Sequence, residues 1–432
     1  MAGRLKTTSL CIYPLTEALS NMNSRVLRYG FFIAIFFCLL SVCRSFAQLP
    51  FYSERYHRAL SWQARGWHTS AAQVFDSLLA KRNEIEYLRG SVLSYLALGE
   101  FDSVQHRLAA HEMKKLPAYS LLKAEVGCYT GNYAEGIAYL GQYLAARYKL
   151  SEQELMRDTL LQPCQNRKSW DSLWTQQWYT PEQQTLNHLE YLAYKGDWHL
   201  LLEELDAQYA RLAKRHEYAF LRAQALEGIH DLKSALLAAE IATNQRPREL
   251  RYVILRARLM LALGYKRQAE ALLIDLQKRD KFNPAFLPPL AWTQYEIGRH
   301  AVAYTTAQRY LEYYPQDTAM LRCAALAASA AKMYSQSLNM LARLFPLASD
   351  NTRVCLQRLR AEMLTAQGDY RQALEDYKDA LTRRPQDTTL LRQTAQVYFQ
   401  LRDTVEGCKL LNRAQTVGHL RVDLMLIRYC KK

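Results

Sequence analysis

The chain has 432 residues, half of them hydrophobic, and a formal net charge of +15. That length and apolar content exclude a disordered chain and allow either two or three globular domains or one elongated array. Gly and Pro are too few for a low-complexity linker protein, and the basic balance favours anionic partners without choosing among nucleic acid, acidic peptide, anionic lipid and charged glycan.

Residues 1–47 differ from the rest. Arg25 and Arg28 precede the apolar run Phe31 to Val42, and Ser45 and Ala47 follow at the spacing a signal peptidase reads. As a helix this run covers about 18 Å, short of the ~30 Å hydrocarbon core, so it predicts a secretory signal cleaved after Ala47 rather than a membrane anchor. Met22 makes a more ordinary start for such a signal than Met1. Leu40 stands three residues before Cys43, as in a lipoprotein signal, but Val42 fills the place of the small residue needed there, which disfavours a lipid anchor at Cys43. Removal of this segment takes away five Lys/Arg and one acid and leaves +11.

From about Tyr52 a pattern begins. Gly66, Gly99 and Gly131 each precede an aromatic ring by two residues (His68, Phe101, Tyr133), and Gly196 does the same with Trp198. These turn signals predict helix hairpins over residues 48–147. The interval from Gly131 to Gly196 is 65 residues, about twice the spacing of the others, which predicts an insertion over residues 148–181. Within it Trp170, Trp174 and Trp178 stand at i, i+4 and i+8 and would form one stripe on a helix. Such a stripe either docks the segment onto the array or offers an aromatic platform to a sugar or a peptide.

Over residues 182–421 the repeat is explicit. Ala223, Ala257, Ala291, Ala325, Ala361 and Ala395 follow one another at intervals of 34, 34, 34, 36 and 34. Seven residues after each comes His230, Gly264, Gly298, Lys332, Gly368 or Arg402, and five further on Ala235, Ala269, Ala303, Ser337, Ala373 or Gly407. Pro247, Pro315 and Pro385 close three units at the same phase. Antiparallel helices whose axes approach to about 8–10 Å need small side chains at the contact, and the turn between them favours a residue that tolerates positive φ. A single hairpin cannot bury its apolar faces, so neighbours stack on it. The last stretch, residues 422–432, is expected to be a lone helix capping the array.

This register resembles the tetratricopeptide repeat family. The unit that starts at Val354 places Ala361, Gly368, Tyr370, Ala373, Tyr377, Ala380 and Pro385 at the family's positions 8, 15, 17, 20, 24, 27 and 32. The other units are more degenerate, with Ser337 and Gly407 in place of alanine at position 20. The resemblance implies an all-α fold, an α-solenoid of about ten antiparallel helix hairpins wound into a right-handed superhelix. It also implies that positions 2, 5, 9, 12 and 13 of each unit face a concave groove. Those positions carry Arg251, Arg258, Trp292, Tyr295, Arg322, Arg358 and Arg392, a basic stripe bordered by aromatic rings. Arginine suits carboxylate or phosphate because its planar fork donates two parallel hydrogen bonds. The alternative is a solvated helix face without a ligand. The asparagines of the family's clamp for acidic chaperone tails are not reproduced, since Leu326 and Leu359 stand there.

Chemistry-bearing motifs are scarce. His111-Glu112 and His216-Glu217 lack the second histidine of a zinc protease, with Lys115 and Phe220 in its place, and no phosphate-binding loop, dinucleotide fingerprint or nucleophile elbow occurs. Neither a catalytic residue, a cofactor site nor a metal site is expected. Six cysteines remain after residue 47, without zinc spacing, and are expected to be mostly buried small residues; Cys323 and Cys355 are the pair singled out for bridging if the compartment is oxidising. The leading expectation is therefore an exported, non-enzymatic interaction scaffold of a bacterial cell envelope, in the periplasm or on the periplasmic face of the outer membrane. Its partner would be a protein with acidic or extended segments, or an anionic envelope component. No nucleic acid and no transmembrane span of the mature chain are expected. The rival readings are a helical-repeat RNA-binding protein, against which the 34-residue spacing speaks, and a glycan-binding envelope protein that uses the tryptophans of the insertion.

Overall fold

The computed structural model of the protein describes residues 52–417 and 428–430. The expected signal sequence, the expected start at Met22, the question of Cys43 and most of the stretch expected to form a terminal helix fall outside the described residues. The described residues form helices and turns, with no strand among them, and group into two compact units divided at Gln294.

In the N-terminal unit three hairpins come first. They are α1 (Glu54–Ala64) with α2 (His68–Leu79), α3 (Ile85–Leu98) with α4 (Phe101–Ala110), and α5 (Pro117–Thr130) with α6 (Tyr133–Leu144). Three short helices follow, α7 (Glu152–Met156), α8 (Gln162–Gln165) and α9 (Lys168–Trp174). The hairpins resume with α10 (Pro181–Lys195) and α11 (Trp198–Ala207), the one-turn α12 (Tyr209–Leu212), α13 (His216–Gly228) with α14 (Leu232–Gln245), α15 (Leu250–Ala262) with α16 (Lys266–Arg279), and α17 (Leu287–Glu296), within which the boundary falls. The C-terminal unit holds α18 (His300–Tyr313), α19 (Thr318–Ala330) with α20 (Tyr334–Leu344), α21 (Asp350–Gln367) with α22 (Tyr370–Arg383), and α23 (Thr388–Gln400) with α24 (Thr404–Val417). Among the described residues nine hairpins lie within one unit or the other, and α17 leads into α18 through the turn at Gly298.

The small residues of the repeat are where the helices touch. Ala223, Ala257, Ala291, Ala325, Ala361 and Ala395 are all buried, and so are Ala235, Ala269, Ala303 and Ala373. Ser337 takes the same place because its hydroxyl donates to the carbonyl of Ala325 at 2.8 Å, so the buried polar atom is satisfied. α5 and α6 approach so closely that a Cβ added to Gly127 would lie 2.8 Å from the Gly136 Cα. The turns pass through the left-handed region, and His230, Lys332 and Arg402 adopt φ of 67°, 60° and 66° where seven other turns of the described residues have glycine. The backbone of the turn is thus set by packing of the two helices, strongly enough to hold three side chains in a conformation that disfavours them.

Candidate interaction surface on the first helices

The first helix of each hairpin presents three sides. In α13, Tyr218, Leu221 and Ala225 pack towards the preceding hairpin and Ala223 and Leu226 pack towards α14 and onward; the remaining register positions are those that carry the residues singled out for binding on the later first helices.

In the N-terminal unit the guanidinium of Arg251 lies 5.1 Å from the ring of Phe220 and 4.9 Å from that of Tyr252, with its Nε 3.2 Å from a carboxylate oxygen of Glu249. Arg258 forms an ion pair with Glu227 on α13. Trp292 is half-buried on α17. In the C-terminal unit Tyr295 is half-buried against His300, ring centroids 5.3 Å apart, and burial followed by the nearby Glu296 raises its hydroxyl pKa. Arg322 is half-buried on α19. Arg358 on α21 has its Nε 3.7 Å from Glu362, whose carboxylate also accepts from the Gln393 amide at 2.7 Å. Arg392 on α23 is exposed. Arg358 and Arg384 line a cavity of about 250 Å³ together with Gln386, Thr388 and Thr389, while Asp387 in its wall accepts from the Thr389 and Leu390 amides.

The arginines therefore stand where the register places them, but the surface is not a bare basic stripe. Glu227, Glu249 and Glu362 sit beside three of them, so positive charge is interleaved with negative. Sequence reading missed these acids. A signal existed: Glu227 and Arg258, like Glu362 and Gln393, are 31 residues apart, one repeat of 34 less about one turn, which is the offset that brings neighbouring first helices into contact.

The segment between α6 and α10 departs furthest from expectation. The tryptophan stripe does not form, because α9 ends at Trp174 and Trp178 lies beyond it, turned back so that its indole N–H donates to the Leu173 carbonyl at 2.7 Å. Trp170 is only 3% exposed, Trp174 leans on it with ring centroids 5.8 Å apart, and Trp174 and Trp178 both pack against the core that holds Trp170. That core joins Leu121, Ala124 and Cys128 of α5 with Leu140 and Leu144 of α6 and with Leu155, Leu161 and Leu173 of the segment. Capping boxes bracket it, Ser151 with Glu154 and Thr180 with Gln183, and the Leu150 backbone is held by the hydroxyls of Tyr143 and Tyr179, both at 2.7 Å.

The cysteine expectation is also corrected. Cys323 and Cys355 are not bonded to each other; Cys323 is fully buried on α19, and burial pushes its thiol up to about 12. The disulfides are Cys128–Cys164, joining α5 to α8, and Cys408–Cys430, joining α24 to residues 428–430, where Tyr429 stacks on Phe399 at 4.4 Å. Each fastens a piece of chain that lies outside a hairpin. Closing a loop of this length is worth about 3–4 kcal/mol through the entropy of the open chain.

One charged cluster lies under the segment. Arg89 of α3 forms two hydrogen bonds to Glu125 of α5, at 2.5 and 2.9 Å, and the Glu125 carboxyl also shares a hydrogen bond with Asp158. Glu125 is completely buried, and burial raises its pKa to about 8; Arg89 opposes the rise and Asp158 adds to it.

Among the described residues no group of three His, Cys, Asp or Glu side chains is placed to hold a metal ion, and no helix is long and apolar enough to cross a membrane. No protein-family model matches the chain, and no curated protein matches it in sequence. Among solved structures the chain is similar to the Cut9–Hcn1 hetero-tetramer of the APC/C, at 11% identity over 86% of this chain and 95% of that chain with a TM-score of 0.44. It is similar to a tetratricopeptide repeat protein from Parabacteroides merdae, at 16% identity over 56% of this chain and 98% of that chain with a TM-score of 0.42. A MamA structure matches at 19% identity over 41% of this chain and 96% of that chain, TM-score 0.35. By its own hairpins, left-handed turns and register of small residues, the described chain is a tetratricopeptide-like helical-repeat protein.

Proposed function

We propose that the protein is an exported, non-enzymatic interaction scaffold that binds an acidic or extended protein segment on the first helices of its C-terminal unit. The observation that carries this reading is the recurrence of arginine at one register position in three successive first helices, Arg322, Arg358 and Arg392, with Arg358 and Arg384 opening into one cavity. The interleaved acids Glu362 and Asp387 favour a partner segment that carries both a carboxylate and hydrogen-bonding groups over a uniformly anionic polymer. Two disulfides in a chain of this size suit an oxidising compartment and support the export reading of residues 1–47. A reporter that works only outside the cytoplasm, fused after residue 432, stays silent if export is wrong. For the surface, the triple substitution Arg322→Glu, Arg358→Glu and Arg392→Glu followed by crosslinking and pull-down is expected to lose the main partner. An unchanged set of partners refutes the arginine surface.

A further inference from the structure

Positions 5, 9 and 12 of a first helix lie at i, i+4 and i+7 and form one side of it. In α21 and α23 that side is partly or fully open: Arg358, Glu362 and Thr365 are half-buried, Arg392 and Gln396 are exposed, and Phe399 is half-buried. In α5 the same register holds Leu121, Glu125 and Cys128, which are 2%, 0% and 0% exposed. What covers them is the segment that follows α6. Leu121 packs in one cluster with Leu155 and Leu161, Glu125 meets Asp158, and Cys128 is bonded to Cys164.

We propose that residues 148–180 are a thiol-gated cover, closed over the binding side of α5 while Cys128–Cys164 is oxidised and released from it when that bond is reduced. The segment is built to open without its neighbours. Its helices have five, four and seven residues, too short to persist alone in water, so they exist only while docked. α5 stays anchored without it, because Leu122 and Val126 belong to the cluster of α1–α4, and α10–α13 have a cluster of their own around Leu189, Leu201 and Leu212. α6 shares its core with the segment, so loss of the cover uncovers Leu140 and Leu144 of α6 as well as Leu121, beside the Arg89–Glu125 pair.

The chemical step needs a dithiol reductant. One thiolate of the reductant attacks a cystine sulfur, the S–S bond breaks and a mixed disulfide forms; the second thiolate of the reductant then displaces the protein sulfur. Two electrons and two protons pass to Cys128 and Cys164, which end as thiols, and the reductant ends as a disulfide. Both sulfurs are fully buried, whereas Cys408 and Cys430 are half-buried, so the C-terminal bridge reduces first and the cover opens in a second, slower stage.

The test uses the full oxidised chain treated with dithiothreitol under native conditions, with hydrogen exchange read by mass spectrometry and each thiol counted by alkylation. Reduction of Cys128–Cys164 is expected to speed exchange in residues 152–174 by about tenfold or more while α13–α24 keep their protection. The Cys128→Ser/Cys164→Ser variant is expected to show the same pattern without reductant, and Cys408→Ser/Cys430→Ser to leave the cover protected. Unchanged exchange in residues 152–174 after both thiols are alkylated overturns the proposal. So does loss of protection throughout the N-terminal unit, which makes the bridge a staple of the whole unit rather than the latch of a cover.

Discussion

Helices α5 and α21 occupy the same place in their hairpins and have opposite fates. On α5 the side that carries Leu121, Glu125 and Cys128 is closed by a segment of the chain itself; on α21 the side that carries Arg358 and Glu362 borders a cavity. Both helices obey the same packing rule, with Ala124 and Ala361 buried against their partners. The repeat therefore decides where the helices lie and leaves one side of each undetermined. What happens to that side depends on residues that the packing rule does not fix: an insertion with a cysteine in one case, and acids on the first helices themselves, such as Glu362, in the other.

Truncation at the same register position of a covered and an open first helix is expected to have very unequal costs. Leu121→Ala removes a buried side chain from the core shared with the covering segment and is expected to cost about 2–4 kcal/mol, read as a lower urea midpoint for the N-terminal unit. Arg392→Ala, exposed at the equivalent position of α23, is expected to change stability by less than about 0.5 kcal/mol. Equal costs at the two sites would mean that the C-terminal side is packed as tightly as the N-terminal one.

A second effect is specific to the covered side. Docked Glu125 holds its proton up to about pH 8, whereas uncovered it ionises near its ordinary 4.5. The closed form thus binds more protons between those values, so closure is fully supported below about 4.5 and weakens as pH rises through about 8. The urea concentration that releases α7–α9 is expected to fall on going from pH about 5 to about 9, and Glu125→Gln, which stays neutral, to flatten that profile. A profile unchanged by Glu125→Gln would place the titration elsewhere.

The smallest effect concerns the turns. Lys332 holds a left-handed conformation where most hairpins have glycine, and Lys332→Gly is expected to stabilise the C-terminal unit by about 0.5–1 kcal/mol in a denaturant titration. Destabilisation would show that the lysine side chain makes a contact worth more than its backbone cost.

Much of the fold was legible because helix contact constrains residue size. The alanines from Ala223 to Ala395 gave the period, and His230, Lys332 and Arg402 were recognisable as turn residues from their phase alone, since packing and not glycine fixes the turn. The same period assigns Arg322, Arg358 and Arg392 one register position on three first helices. Their acidic neighbours were not legible, because a pair such as Arg258 and Glu227 forms across two units, at an offset that appears only once the stagger of the helices is known. The covering segment was the least legible part. Its tryptophans suggested a helix through Trp178, but the helix stops at Trp174. The partner of Cys128 could not be read from spacing, because the bond depends on where a non-repeating segment of short helices docks. Cys323, set at core spacing on α19, proved to be filling material.

The central claim is that partners are met on the open first helices of the C-terminal unit and not on α5 while its cover is closed. Crosslinking of the oxidised chain in its native cell, with the linked residues mapped by mass spectrometry, tests it directly. Crosslinks to partner proteins gathered on α19, α21 and α23 and absent from α5 are the predicted result. Crosslinks concentrated on α5, or spread over the second helices of the hairpins, would contradict it.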